Sequence, residues 1–315
     1  MVMSMAAWAQ NIAVVSPSNS TDIYNTLDEA ITNATPGSTI YLPGGGFVIS
    51  DDTSIDKKLT IMGVSHRGDA DNVDGATIIS GRLNFVGGSS GSAVVGVYVT
   101  GEIRVGTSEV AVNNFTLRYC NVNYVKVYNS GSMGMLVNQC YLRNKSDFSY
   151  CNVHLENCIV HLIDNINGGI VNHNVVISSD YDRFDCSSSS ITNNFFLSGD
   201  ASYRGEDCYI SNNCLGTNSW DLDQNPVVAP EGTNLWDDVF GPDHNKGVTI
   251  ASDYHVIASW AKGAASDGTD IGIYGGSGFS DNTSLAPIPR IVSKSVDEQS
   301  DASGKLTVTV KVKSN

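Results

Sequence analysis

The sequence predicts an all-β fold, a parallel β-solenoid with three short strands per turn. Three observations carry this. A six-residue unit recurs about every 19 residues, its third position is Gly or Asn in five of seven copies, and the composition favours many short strands over long helices. The chain has 315 residues, 31 of them glycine and only 16 % charged. Val and Ile lead the apolar residues, and Asn, Asp, Ser and Gly break them into short runs.

The unit reads apolar, any, Asn-like, any, any, apolar. It occurs as V-N-N-F-T-L from Val112, V-N-Q-C-Y-L from Val137, L-E-N-C-I-V from Leu155, V-N-H-N-V-V from Val171, I-T-N-N-F-F from Ile191 and I-S-N-N-C-L from Ile210. An earlier V-V-G-V-Y-V begins at Val94. Successive starts are 18, 25, 18, 16, 20 and 19 residues apart, too short for paired-helix repeats. A bend between strands needs a residue that tolerates positive φ, which Gly does freely and Asn better than most. The third positions, Gly96, Asn114, Gln139, Asn157, His173, Asn193 and Asn212, are therefore expected to stack roughly 4.8 Å apart as a hydrogen-bonded ladder. His173 is read as a ladder member rather than a catalyst.

The flanking segments follow in chain order. Residues 1–9 resemble the end of a secretory signal, a short apolar stretch with Ala7 and Ala9 before Gln10 but no basic n-region. Residues 10–57 hold a helix expected over Asp22 to Ala34, with Ile23, Leu27, Ala30, Ile31 and Ala34 at helical spacing after cap candidates Ser20, Thr21 and Asp22. Coils fill 58–216, a closing segment 217–290, and a tail 291–315. In that tail K-L-T-V-T-V-K-V-K alternates as one two-faced strand with edge-protecting lysines.

The helix, the T-P-G-S-T-I-Y-L-P-G-G-G-F run from Thr35, the Asn-bearing units, and D-Y-H-V-I-A-S-W-A-K-G-A-A-S-D-G-T-D-I-G-I-Y-G-G from Asp253 together resemble the pectate-lyase-like superfamily. The resemblance spans roughly residues 20 to 290. Trp260 stands where such closing segments usually have Pro. It implies a right-handed three-sheet parallel β-helix with an N-terminal capping helix. It does not fix an activity, since the superfamily holds lyases, hydrolases, esterases and non-enzymes.

The net charge is −15 and the pI about 4.6. An acidic surface argues against nucleic acid or anionic lipid as partner, and no apolar run is long enough to span a membrane. Seven cysteines leave at least one thiol free, and no C-x-x-C occurs. Cys140, Cys158 and Cys214 sit inside units, where small buried apolar residues are expected. No G-x-S-x-G, H-E-x-x-H, Walker or dinucleotide motif stands in its required context.

Three patches could carry chemistry. Alternation in Glu102–Val105 and Tyr124–Tyr128 buries Ile103, Val105, Val125 and Val127 and turns Glu102, Arg104, Tyr124, Lys126 and Tyr128 outward. Stacking then sets Arg104 beside Lys126. Such a cationic pair suits the enolate of a uronate elimination, with Tyr124 and Tyr128 against the sugar. Arg118, Arg143 and His161 each follow a unit and are expected to stack as exposed flanks. In D-Y-D-R-F-D and D-A-S-Y-R-G-E-D, the carboxylates Asp182, Asp185, Glu206 and Asp207 lie near Arg183 and Arg204. They bind calcium, with the arginines contacting substrate, serve as the paired carboxylates of a glycosidase, or form surface ion pairs. The expected protein is a secreted, periplasmic or cell-surface monomer that binds or degrades extracellular polysaccharide, as a lyase or hydrolase. The alternative is a non-catalytic, glycan-binding or structural β-helix.

Overall fold

The computed structural model describes residues 11–66, 75–177, 183–197, 202–204, 206–215, 222–241, 253–279, 290–296, 305 and 308–313. They form a parallel β-solenoid of about 8 turns. One 11-stranded sheet stacks a strand from every turn, and a 14-stranded sheet holds two columns joined by long strands such as Tyr98–Val105. A separate two-stranded antiparallel sheet pairs Arg290–Val296 with Val308–Lys313, so the tail strand has a partner within the chain. Among the described residues no helix is long and apolar enough to cross a membrane.

Strand pairing fixes the unit's register. Its first position is the column Val94, Leu117, Val137, Leu155, Val171, Ile191 and Ile210, each in line with the next and each fully buried. One copy differs from the sequence expectation. The strand Thr116–Arg118 aligns Leu117, not Val112, with Val137, so the true copy is L-R-Y-C-N-V. The third position there is Tyr119, at φ 54, in line with Gln139, Asn157, His173, Asn193 and Asn212 at φ between 51 and 59. Asn114 also has positive φ, but it turns a different corner five residues earlier in the chain. Either stretch satisfies the apolar spacing, and the better Asn match hid the correct one.

The hydrogen-bonded ladder lies one residue further on. The fourth positions are Cys120, Cys140 and Cys158, then Asn174, Asn194 and Asn213, all essentially buried. Asn174 donates both its backbone N–H and Nδ2 to Asn194 Oδ1 at 2.9 Å. Asn194 donates the same pair to Asn213 Oδ1 at 3.0 and 2.9 Å. Asn213 ends the series on Asp223. Each Asn Nδ2 also reaches the preceding coil's first-position carbonyl, Leu155, Val171 or Ile191. The cysteine thiols approach the equivalent carbonyls of Val94, Leu117 and Val137 at 3.5–3.6 Å. A left-handed corner exposes inward-facing backbone amides, and a buried Asn satisfies both a donor and an acceptor there.

All seven cysteines are free. Burial pushes the thiols of Cys120, Cys140 and Cys186 well above their ordinary range and that of Cys151 up to about 12. At pH 8 the native protein should therefore leave these four unmodified by iodoacetamide, while half-buried Cys208 reacts and denaturant releases all seven. Mass spectrometry of alkylated peptides reads this directly. Native labelling of Cys140 would contradict it.

The N-terminal helix is shorter than the periodicity suggests. It spans Leu27–Asn33, and Thr26 caps it by accepting the Glu29 amide at 3.2 Å, the first half of a Thr-x-x-Glu capping box. Thr21–Tyr24 is instead a strand, antiparallel to Ile12–Val15, with Ile23 exposed. Leu27, Ala30 and Ile31 join the solenoid core.

The closing segment lies against the outside of the later coils. Ile159, Val175, Phe195 and Cys214 occupy the fifth position and point away from the solenoid core. They form a second apolar cluster with Leu235, Val239, Phe240, Tyr254, Val256, Ile271 and Ile273. Third-position side chains hold the same segment. Asn157 Nδ2 donates to the carbonyls of Ile273 and Gly275 at 2.8 and 2.9 Å, Asn193 Oδ1 accepts the Ser266 amide at 2.8 Å, and Asn212 Nδ2 donates to Ala264 O at 3.1 Å. His173 is fully buried beneath Gly275 and Gly276, its Nε2 3.2 Å from Asp267 Oδ2. It is a structural member of this line. Burial opposes charge on Asp267, but hydrogen bonds from Thr269 and the His173 ring outweigh it and hold the carboxyl below the usual range.

Candidate functional site

The residues on strands Tyr98–Val105 and Asn121–Val127 come together as their alternation requires. Ile103, Val105, Val125 and Val127 are buried, and register sets Arg104 against Lys126 and Glu102 against Tyr124. Glu102 is the exception. The sequence pattern puts it on the outer face, yet it is only 4 % exposed. The cause is a pair of guanidiniums. Arg82, on the preceding coil, brings Nε within 2.5 Å of Glu102 Oε1, and Arg104 Nε approaches the same oxygen. A carboxylate between two arginines can lose water that an unpaired one would keep.

The Glu102 carboxylate also faces the Tyr124 hydroxyl. That neighbour, together with burial, raises the phenol above its ordinary range. Lys126 lies with its Nζ 4.9 Å from the Tyr128 ring centroid, and the Arg104 guanidinium lies 5.5 Å from the same ring. Among the described residues Lys126 has no ion-pair partner. Asp147 stands opposite it in register, but its Oδ1 accepts from the Ser149 amide and Asn165 Nδ2. Asn84 continues the row on the other side of Arg104. The result is a half-exposed face with three cations, two tyrosines and one buried carboxylate.

Arg82 is the residue that sequence reasoning missed. The signal was there: R-L-N-F, E-I-R-V and Y-V-K-V are successive turns of one pattern, which lines up Arg82, Glu102 and Tyr124, and beside them Asn84, Arg104 and Lys126.

The other two patches divide differently. Arg118 does not stack with Arg143 and His161. It pairs in register with Val95 and Asn138 in the 11-stranded sheet, because its unit is displaced as described above. Arg143 and His161 do lie on neighbouring coils, the His161 amide bonding Leu142 O and the Arg143 amide Val122 O. Arg143 turns back to Tyr98, donating to its hydroxyl and to Val99 O at 2.9 Å.

Of the acidic patch, Asp182 and the side chains of Arg183 and Arg204 lie outside the described residues. The backbone pairs Arg183 with Ser202 and Asp185 with Arg204, and Asp207 sits in a turn at φ 56. No cluster of three or more His, Cys, Asp or Glu able to hold a metal ion occurs among the described residues.

No protein-family model and no curated protein matches this chain.

Proposed function

We propose that this is a secreted or cell-surface protein that binds extracellular polysaccharide along the face of Arg82, Arg104, Tyr124, Lys126 and Tyr128. The carrying observation is the in-register convergence of tyrosine rings and basic side chains on adjacent strands. Rings offer stacking surface to a sugar, and a rigid strand pair fixes their spacing. The finer fold reading belongs here too: a right-handed, three-sheet coil of the pectate-lyase-like kind, closed at its N-terminal end by the Leu27–Asn33 helix and acting as a monomer. It is supported by the two columns of the larger sheet beside the smaller one and by the helix residues in the core.

Lys126 also supports a second reading, uronate elimination, because an ammonium with no carboxylate partner beside Arg104 is suited to stabilising an enolate. One screen separates the readings. Immobilised uronate-containing and neutral polysaccharides are tested for retention of the protein, and the soluble forms for new reducing ends and ultraviolet-absorbing unsaturated product. The binding reading expects retention without product, and Lys126→Ala should weaken retention about tenfold, the loss of one charge-assisted contact. Unsaturated product that disappears in Lys126→Ala establishes the lyase instead. Failure to bind or cleave any polysaccharide overturns both.

A further inference from the structure

The same face gathers three cations on successive coils. Arg82 and Arg104 converge on one carboxylate, Glu102, with Lys126 in register beside Arg104 and Asp51 4.0 Å from Arg82 and largely exposed. Asp147, the next carboxylate in the row, is engaged by Ser149 and Asn165. Like charges in register on neighbouring strands destabilise a sheet unless something neutralises them, and Arg104 and Lys126 stand in register.

The way the arginines are held matters as much as their charge. Both approach Glu102 through Nε. Among the described residues the terminal nitrogens of Arg104 bond nothing else, and those of Arg82 only approach Asp51. A guanidinium that faces its carboxylate through Nε still presents its Nη edge, the edge that pairs with a planar oxyanion through two hydrogen bonds.

We propose that Glu102 is a positioning residue. It fixes Arg82 and Arg104 so that their Nη edges, with Lys126 as third donor, hold one oxyanion group of the ligand, a uronate carboxylate or a sulfate ester. This rests on the polysaccharide reading and adds to it the ligand's charged group and the residue that prepares its site.

Glu102→Gln tests this in the full chain, because charge and positioning predict opposite signs. Removing a negative charge beside an anion site strengthens attraction if charge alone matters. If Glu102 sets the forks, binding weakens despite the added positive charge. The probes are polygalacturonate for carboxylate, a sulfated galactan for sulfate, and the matching unsulfated galactan as the neutral control. Thermal unfolding of each variant checks the fold. Weakening of oxyanion-ligand binding about tenfold or more in Glu102→Gln, with the neutral ligand unaffected, supports the proposal, and whichever acidic polymer shows it names the source.

Tighter or unchanged binding overturns it. If Glu102→Gln fails to fold, Arg82→Lys is read in its place. It keeps the charge and loses the fork, so a tenfold loss supports the proposal and unchanged affinity overturns it. Binding of the neutral galactan alone overturns this inference and leaves the polysaccharide reading standing. Binding of no polysaccharide removes both.

Discussion

Asn194→Ala is expected to lower the free energy of unfolding by about 3–5 kcal/mol, far more than an ordinary surface change. Its side chain is the middle of the buried amide series. Loss of Oδ1 strands the Asn174 backbone N–H and one Asn174 Nδ2 hydrogen. Loss of Nδ2 removes a side-chain donor from the Val171 carbonyl and from Asn213 Oδ1. Each buried polar group left without a partner costs about 1–3 kcal/mol, and Asn174 and Asn194 are fully buried. The comparison is Asn84→Ala, whose exposed amide bonds Ser54 Oγ at 3.2 Å and whose loss should cost about 0.5 kcal/mol or less. Denaturant midpoints at matched slopes check the pair. A cost for Asn194→Ala under about 1 kcal/mol would show that the amides are dispensable packing.

Gly275→Ala is expected to lift the closing segment from the solenoid. A Cβ there would lie 1.9 Å from the Asp270 carbonyl oxygen and 2.3 Å from His173 Nδ1. Neither neighbour can yield: one is backbone, the other a fully buried ring. The expected loss is about 3 kcal/mol or more, since overpacking is compounded by exposure of the apolar fifth-position row. Gly268→Ala is the control. It has a positive φ, 79, which Gly275 does not, but nothing lies within 4 Å of its added Cβ, so its cost should stay near 1 kcal/mol. Hydrogen exchange across 253–279 reads the difference. Native protection in Gly275→Ala would refute the tight seating of His173. Acid should loosen the same contact. The folded carboxyl of Asp267 titrates below its ordinary value. Its contribution is thus present above that ordinary value and is lost as pH falls through the folded one.

The solenoid was legible because its signal is periodic and its constraint is steric. A corner at positive φ restricts the third position in every turn, and first and sixth positions must be apolar to fill the core. Where the pattern failed, a local rule met a competitor of equal strength. Val112 and Leu117 both open acceptable units, and only strand pairing decides between them. The ladder was placed on the third position because Asn recurs there for its backbone, while the fourth position mixes Cys with Asn and so conceals a common hydrogen-bonding task. At the site, adjacency of Arg104 and Lys126 followed from alternation and stacking. The burial of Glu102 did not, because it depends on Arg82, a residue one turn away whose alignment the six-residue unit does not cover. The fifth position held an unused clue. It runs Tyr98, Asn121 and Tyr141, then Ile159, Val175, Phe195 and Cys214. The change from polar or aromatic to apolar marks where the closing segment begins to cover the outside.

That covering strap also works as a gauge of length. It runs against the direction of stacking, with residues 273–277 at Asn157, 267 at His173, 266 at Asn193 and 264 at Asn212. Each coil advances the stack by about 4.8 Å, and an extended chain rises about 3.3 Å per residue. An extra coil inserted between Asn157 and Asn212 would therefore displace every later contact by more than one residue. The same insertion before Val137 would leave the strap's register untouched. Growth and loss of turns across descendants of such a chain would then concentrate in its first half, while the second half keeps a fixed number of coils.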